Sequence, residues 1–141
     1  MILVDTDHLT VLARPDDSRH ALGPSRIREV TEQTVGVAII SAEEQLRGWL
    51  AAIRKVQNVA QQVIPYQRFT DLIRYLNAWP IIPFDNHAAE AFARLRRQKI
   101  RIGTQDLKIA SIAITNDALL LSANLSDFTA VPGLRVENWL K

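Results

Sequence analysis

Apolar residues recur along this chain in two rhythms. Short runs without alternation stand at residues 2–4 (ILV), 35–40 (VGVAII), 80–84 (PIIPF) and 118–122 (ALLLS). That is the pattern of strands covered on both faces, as in a parallel sheet. Between them lie longer stretches of helical spacing: DSRHALGPSRIREVTEQT, SAEEQLRGWLAAIRKV, PYQRFTDLIRYLNAW, NHAAEAFARLRRQ and TQDLKIASIAITN. In the fourth of these, Ala88, Ala89, Phe92 and Leu95 form the core-facing stripe. Gly23-Pro24 divides the first stretch in two, and Pro65 separates VQNVAQQVI from the helix after it. A last strand is expected at LRVENW, behind the turn residues VPG. Strands alternating with helices predict an α/β fold with right-handed crossovers. No repeat, low-complexity tract or linker interrupts the pattern, so one domain over residues 1–141 is expected.

Composition narrows the class. Hydrophobic residues make up 48% and charged residues 23%, ordinary values for a globular chain and far from those of a disordered one. The formal charge of +2 neither demands nor excludes nucleic acid, but 13 of the 17 basic residues are Arg, whose planar fork suits phosphate. The absence of cysteine excludes a disulfide framework and thiolate chemistry, and fits a reducing compartment. No apolar run approaches the roughly 20 residues of a membrane span, and Asp5 interrupts the place where a signal peptide would carry its apolar core. A cytoplasmic protein with no membrane partner is expected.

The acidic residues become informative once the sheet is given a direction. In a parallel α/β sheet, ligands bind beyond the carboxyl ends of the strands. Asp5 ends the first strand there, and Asp127, in SANLSDF, lies just past the fourth. Glu44 falls in the first turn of the helix leaving VGVAII, at the same edge. Asp106 opens a helix that feeds the fourth strand; such a helix runs back from the carboxyl edge, so its first turn lies there too. Four carboxylates from distant segments are thus expected on one rim.

Each acid also has a plain structural reading. Asp5 or Asp7 can cap the helix beginning HLTVLA. Ser41-x-x-Glu44 matches a capping box, and Asp106 is an acid favoured by the helix dipole. Asp127 and Asn124 can be turn or cap residues. Other acids read more simply: Asp85 as an N-cap, Asp117 as a turn residue, and Asp16, Asp17, Glu29, Glu32, Asp71 and Glu90 as solvated positions. Glu43 competes with its neighbour Glu44. Clustering itself is costly, since two carboxylates ~4 Å apart repel by ~4 kcal/mol at an effective dielectric of 20. Such a cluster traps protons or holds a divalent cation. An all-oxygen set selects Mg2+ or Mn2+ over Zn2+, which points to phosphoryl transfer.

The segments ILVDTDHL, ISAEEQLRGW, IGTQDLKIASIAI and LLLSANLSDFTAVPGLRVENW, in that order, resemble the PIN-domain family, and within it the VapC-like ribonuclease toxins of bacterial toxin–antitoxin pairs. The resemblance covers nearly the whole chain. It implies a PIN-like three-layer fold with a central, mainly parallel sheet of four to five strands flanked by helices. It carries the family's acids onto Asp5, Glu44, Asp106 and Asp127, the four that topology selects. Asp7 stands where many members have Asn, and is a fifth ligand or a helix cap. Ser122 stands where Thr is usual, and Ala123 lacks the basic side chain often found before the Asn. The implied activity is hydrolysis of an RNA phosphodiester with one or two Mg2+ or Mn2+ ions. Thr6, Ser41 and Asn124 would hold the carboxylates in place or serve as ordinary caps. A cognate antitoxin protein and a homodimer are the implied partners.

A basic stretch, RLRRQKIR, leads toward Asp106. On a continuous helix Arg94, Arg97 and Arg101 share a face that could track an RNA backbone, or they form a solvated helix end. Trp49, Trp79 and Trp139 suit core or interface positions more than base stacking. Two other readings stay open. One is a Mg2+-dependent phosphatase or phospho-acceptor domain, which also places Asp after its first strand. The other is a PIN-like RNA-binding domain without catalysis.

Overall fold

The computed structural model describes residues 1–14 and 33–140. Most of DSRHALGPSRIREVTEQT, with its Gly23-Pro24 break, lies outside the described residues. The centre of the fold is a five-stranded sheet, every adjacent pair parallel, in the order β3-β2-β1-β4-β5. The strands are β1 (Ile2–Val4), β2 (Val35–Ala38), β3 (Ile81–Ile82), β4 (Leu119–Leu121) and β5 (Arg135–Glu137). β1 lies in the middle, with Val4 opposite Val37 on one side and Leu121 on the other. The chain builds outward from β1 through β2 to β3, then returns to the other flank of β1 with β4. The crevice between β1 and β4 is therefore the switch point of the sheet, where such folds bind ligands.

Alternate strand residues face opposite layers. Leu3 and Leu120 pack under α4 (Asn86–Arg97) and α5 (Thr104–Thr115). Ile2, Val4 and Leu121 pack with Leu9 of α1 (Thr6–Leu12), Leu76 of α3 (Val63–Asn77) and Trp139. These five strand residues are at most 1% exposed. Each such side chain contributes about 1.5–3 kcal/mol through burial, so the register of β1 against β4 is firmly set. That register places Asp5 and Ser122, the next residue of each strand, side by side at the carboxyl edge.

Several elements differ from their expected bounds. The run at 35–40 supplies only four strand residues, and Ile39 and Ile40 already belong to α2 (Ile39–Lys55). Gly36 explains how closely β2 and β3 approach: a Cβ there would stand 3.0 Å from both the Pro80 carbonyl and Ile82 Cγ1. Pro65 does not separate two segments; it sits in the first turn of α3, where its missing N–H has no helical partner to lose. A short 3-10 turn, Val59–Gln62, precedes α3 and is capped by Asn58. α4 is capped by Asp85, as expected, but it buries Ala88, Ala91 and Leu95 while Ala89 is exposed. Asp117 takes a positive φ of 49° in the turn before β4. Among the described residues no helix is long and apolar enough to cross a membrane.

Candidate functional site

Asp5 leaves β1 in extended conformation and caps α1, its Oδ1 accepting from the Thr6 N–H at 2.8 Å. Its other oxygen accepts from the Ser122 hydroxyl at 2.8 Å, beyond the end of β4. The Thr6 hydroxyl in turn donates to Glu44 Oε2 at 3.1 Å, across to α2. On the far side, Ser122 Oγ accepts the Asn124 N–H, and the Asn124 side-chain amide donates to Asp106 at 3.3 Å and Asp127 at 3.1 Å. One continuous set of hydrogen bonds therefore runs from Glu44 through Thr6, Asp5, Ser122 and Asn124 to Asp106 and Asp127. The four acids expected on one rim are all members of it.

The electrostatics are those of crowded acids. Burial pushes Asp5 from the ordinary 3.8 up to about 6, and the neighbouring charges of Asp7 and Asp106 add to the rise against the bonds from Ser122 and Thr6. Glu44 is raised by burial and by the Asp106 and Glu43 charges, against the Thr6 hydrogen bond. Asp106 is raised by burial and then by Asp127 and Asp7. Each prefers the neutral form more than a solvated carboxylate does, first because burial penalises the charge and then because of the neighbouring acids.

The fit to a divalent cation follows from the donor set. The four carboxylates offer hard oxygens only, each keeps lone pairs that the hydrogen bonds above do not use, and their mutual repulsion is what a cation would relieve. Among the described residues no three His, Cys, Asp or Glu side chains already converge into a cage. The acids share a rim and a hydrogen-bond network.

The supporting residues divide. Thr6 and Asn124 each donate to two carboxylates. Ser41 does not: α2 starts two residues before it, Ala38 is the N-cap, and Ser41 is wholly buried with no hydrogen-bond partner for its hydroxyl among the described residues. The capping box is thus not formed, and Glu44 faces Thr6 instead. Glu43 is engaged elsewhere, by Gln105 at 3.0 Å and Arg47 at 2.6 Å, which draw it below its ordinary value.

Asp7 has little left to offer a cation. One oxygen accepts from the His8 N–H and from the His8 ring, both at 2.6 Å. The other accepts from the Ala123 N–H at 2.9 Å and lies 3.4 Å from Ser122 Oγ. Burial opposes its charge, but these donors outweigh it and hold the group low. Asp7 is a clasp between the turns after β1 and β4. Ser122 was legible only as a residue of the motif; its bridging role depends on β1 and β4 being neighbours. His8 gave no signal beyond standing next to Asp7.

The basic stretch is partly reassigned. α4 ends at Arg97, and Lys99 takes a positive φ of 57°, so Arg101 lies in the connection and not on a helical face with Arg94 and Arg97. All three arginines are exposed. Trp139 is buried, and Trp49 and Trp79 are half-buried.

No protein-family model matches the chain. It is 39% identical over 69 residues to Ribonuclease VapC1 of Rickettsia felis, a match covering 45% of this chain and about half of that protein (52%). In structure it resembles a DNA-bound VapBC from Salmonella typhimurium, with a TM-score of 0.75 at 19% identity over 99% of each chain, a likeness of fold. Ribonuclease VapC2 of Rickettsia felis is 30% identical over 112 residues, 77% of this chain and 76% of that protein, and by that match the chain belongs to the VapC family of PIN-domain proteins.

Proposed function

We propose that this protein is a Mg2+- or Mn2+-dependent endoribonuclease and the toxin of a toxin–antitoxin pair, acting in the cytoplasm. The observation that carries the reading is the hydrogen-bond network joining Glu44, Asp5, Asp106 and Asp127 at the switch point of the sheet. Two Rickettsia felis relatives bear the name ribonuclease, which supports RNA as the substrate. The Salmonella typhimurium neighbour was solved as VapBC, which supports a protein partner of the antitoxin kind. Homodimerisation rests on the family resemblance.

In this reading Asp5, Glu44, Asp106 and Asp127 hold the cation. A divalent ion bound there supplies an acidified water and neutralises charge on the phosphoryl oxygens. Thr6 fixes Asp5 and Glu44 relative to each other, one through its N–H and the other through its hydroxyl. Asn124 does the same for Asp106 and Asp127. Ser122 holds the Asp5 carboxylate against β4. Arg94 and Arg97 present an exposed basic end of α4 to the RNA backbone, and Arg101 adds to it from the following connection.

The test is a map of new RNA ends in bacterial cells after brief induction of the wild type and of Asp106→Asn. Discrete sites that appear with the wild type and vanish with the variant support the nuclease and name its substrate. Indistinguishable maps with unaffected growth overturn it.

A further inference from the structure

His8 is wholly buried, at 1% exposure, and both of its ring nitrogens are engaged. Nε2 lies 3.0 Å from the main-chain N of Trp139, and Nδ1 lies 2.6 Å from Asp7 Oδ1. A main-chain N–H can only donate, so Nε2 is the acceptor and Nδ1 carries the proton that goes to Asp7. The ring therefore joins two segments 131 residues apart in sequence. On one side is the C-terminal segment, held by the burial of Trp139 and Leu140. On the other is the Asp7 carboxylate, whose second oxygen holds the Ala123 N–H. Ala123 lies between Ser122 and Asn124, the two residues that orient Asp5, Asp106 and Asp127.

We infer that His8 is a positioning residue: its ring aims the Asp7 carboxylate at Ala123, fastens the C-terminal segment behind it, and so holds the Ser122–Asn124 turn in register with Asp5. Asp7 alone has freedom about its side-chain torsions. With Nδ1–H fixed against one oxygen, the other can point only at the turn. Partners of this kind, one step removed from the ligands, commonly change metal affinity by 10–100-fold when removed. The metal part of the inference rests on the function proposed above; the geometric part does not.

The two nitrogens can be separated by substitution. An Asn side chain places its amide where Nδ1 stands and can still donate to Asp7, but it cannot reach Trp139. A Gln side chain places its carbonyl where Nε2 stands and can still accept from Trp139, but it abandons Asp7. Hydrogen exchange of the Ala123 amide in the metal-free protein reads the clasp directly, and Mn2+ titration of the same samples reads the site. The expected result is that His8→Asn keeps Ala123 protected and Mn2+ affinity within about threefold of wild type. His8→Gln should lose that protection and weaken Mn2+ by about tenfold or more. Equal behaviour of the two variants in Ala123 exchange overturns the inference. If a variant does not fold, 15N spectra of the wild-type imidazole decide: protonated Nδ1 and unprotonated Nε2 are required, and the opposite tautomer refutes it. Absence of Mn2+ binding by the wild type would sink the metal reading alone, because the exchange data would still accept or reject the role of His8.

Discussion

Replacing Asp5 by Asn should make the metal-free protein more stable near neutral pH. Asp5 is 7% exposed and is shifted from 3.8 to about 6 by burial first and by neighbouring charge second. A rise of that size corresponds to about 3 kcal/mol of preference for the neutral form. The folded-state value lies above the unfolded one. The cost is therefore absent below ~3.8, where both states keep the proton, and complete above ~6, where both have lost it. The amide removes the charge and can keep the contacts: its oxygen accepts from Thr6 N–H, and its NH2 donates to Ser122 Oγ, whose proton turns to Asp7 Oδ2 at 3.4 Å. Allowing for an imperfect fit of the amide, we expect a gain of about 2 kcal/mol at about pH 7.5, a rise of roughly 5–8 °C in Tm for a domain of this size. At about pH 3, where both states keep the proton, the gain should be absent and only the misfit of the amide, about 1 kcal/mol, should remain as a small loss. Urea and thermal unfolding in EDTA across this range measure it. A difference that does not change with pH, or a variant less stable than wild type at pH ~7.5, would refute the claim that Asp5 is held as a strained, proton-seeking acid.

Three further outcomes follow from the same contacts. Ser122→Ala removes the donor to Asp5 and the acceptor of the Asn124 N–H, so chemical denaturation should show a loss of about 1–3 kcal/mol, with the Asp5 titration moved further up. Gly36→Ala puts a methyl 3.0 Å from the Pro80 carbonyl, which accepts the Val37 N–H; it should cost about 1–3 kcal/mol by the same measurement, and a neutral result would mean that β2 and β3 are not so tightly paired. Arg97→Glu should weaken RNA binding and lower the slope of log K against log salt by about 1, and an unchanged slope would remove the end of α4 from the RNA surface.

The acids at the rim were legible because a parallel sheet has a direction. Asp5, Asp106 and Asp127 follow from knowing which strand each one ends or feeds, with no side-chain geometry needed. Glu44 was legible from the same direction, as a residue near the start of the helix leaving β2, although it stands in the second turn and not the first. The rival reading, a capping box with Ser41, fails because β2 stops at Ala38, and Ile39 and Ile40 enter the helix with Ser41 buried. An apolar run of six cannot by itself show where extension gives way to helix, since both conformations accommodate it. The bridging hydroxyl of Ser122 and the Asn124 amide depend on β1 and β4 being neighbours, which order along the chain does not reveal. His8 and Trp139 lie further still from sequence reasoning: their bond exists because the C-terminal segment returns across the first helix. The helical face of Arg94, Arg97 and Arg101 failed on a local detail, the left-handed turn at Lys99 that ends the helix early.

The most direct test of the account is cleavage of RNA by the purified protein as Mg2+ or Mn2+ is titrated in, with EDTA and Asp106→Asn as the controls. The account predicts discrete cuts that appear with the ion, disappear on chelation, and are absent from the variant although its unfolding transition is intact. Cleavage that persists in EDTA, or that Asp106→Asn performs at the wild-type rate, would contradict a cation held by the carboxylates at the head of the sheet.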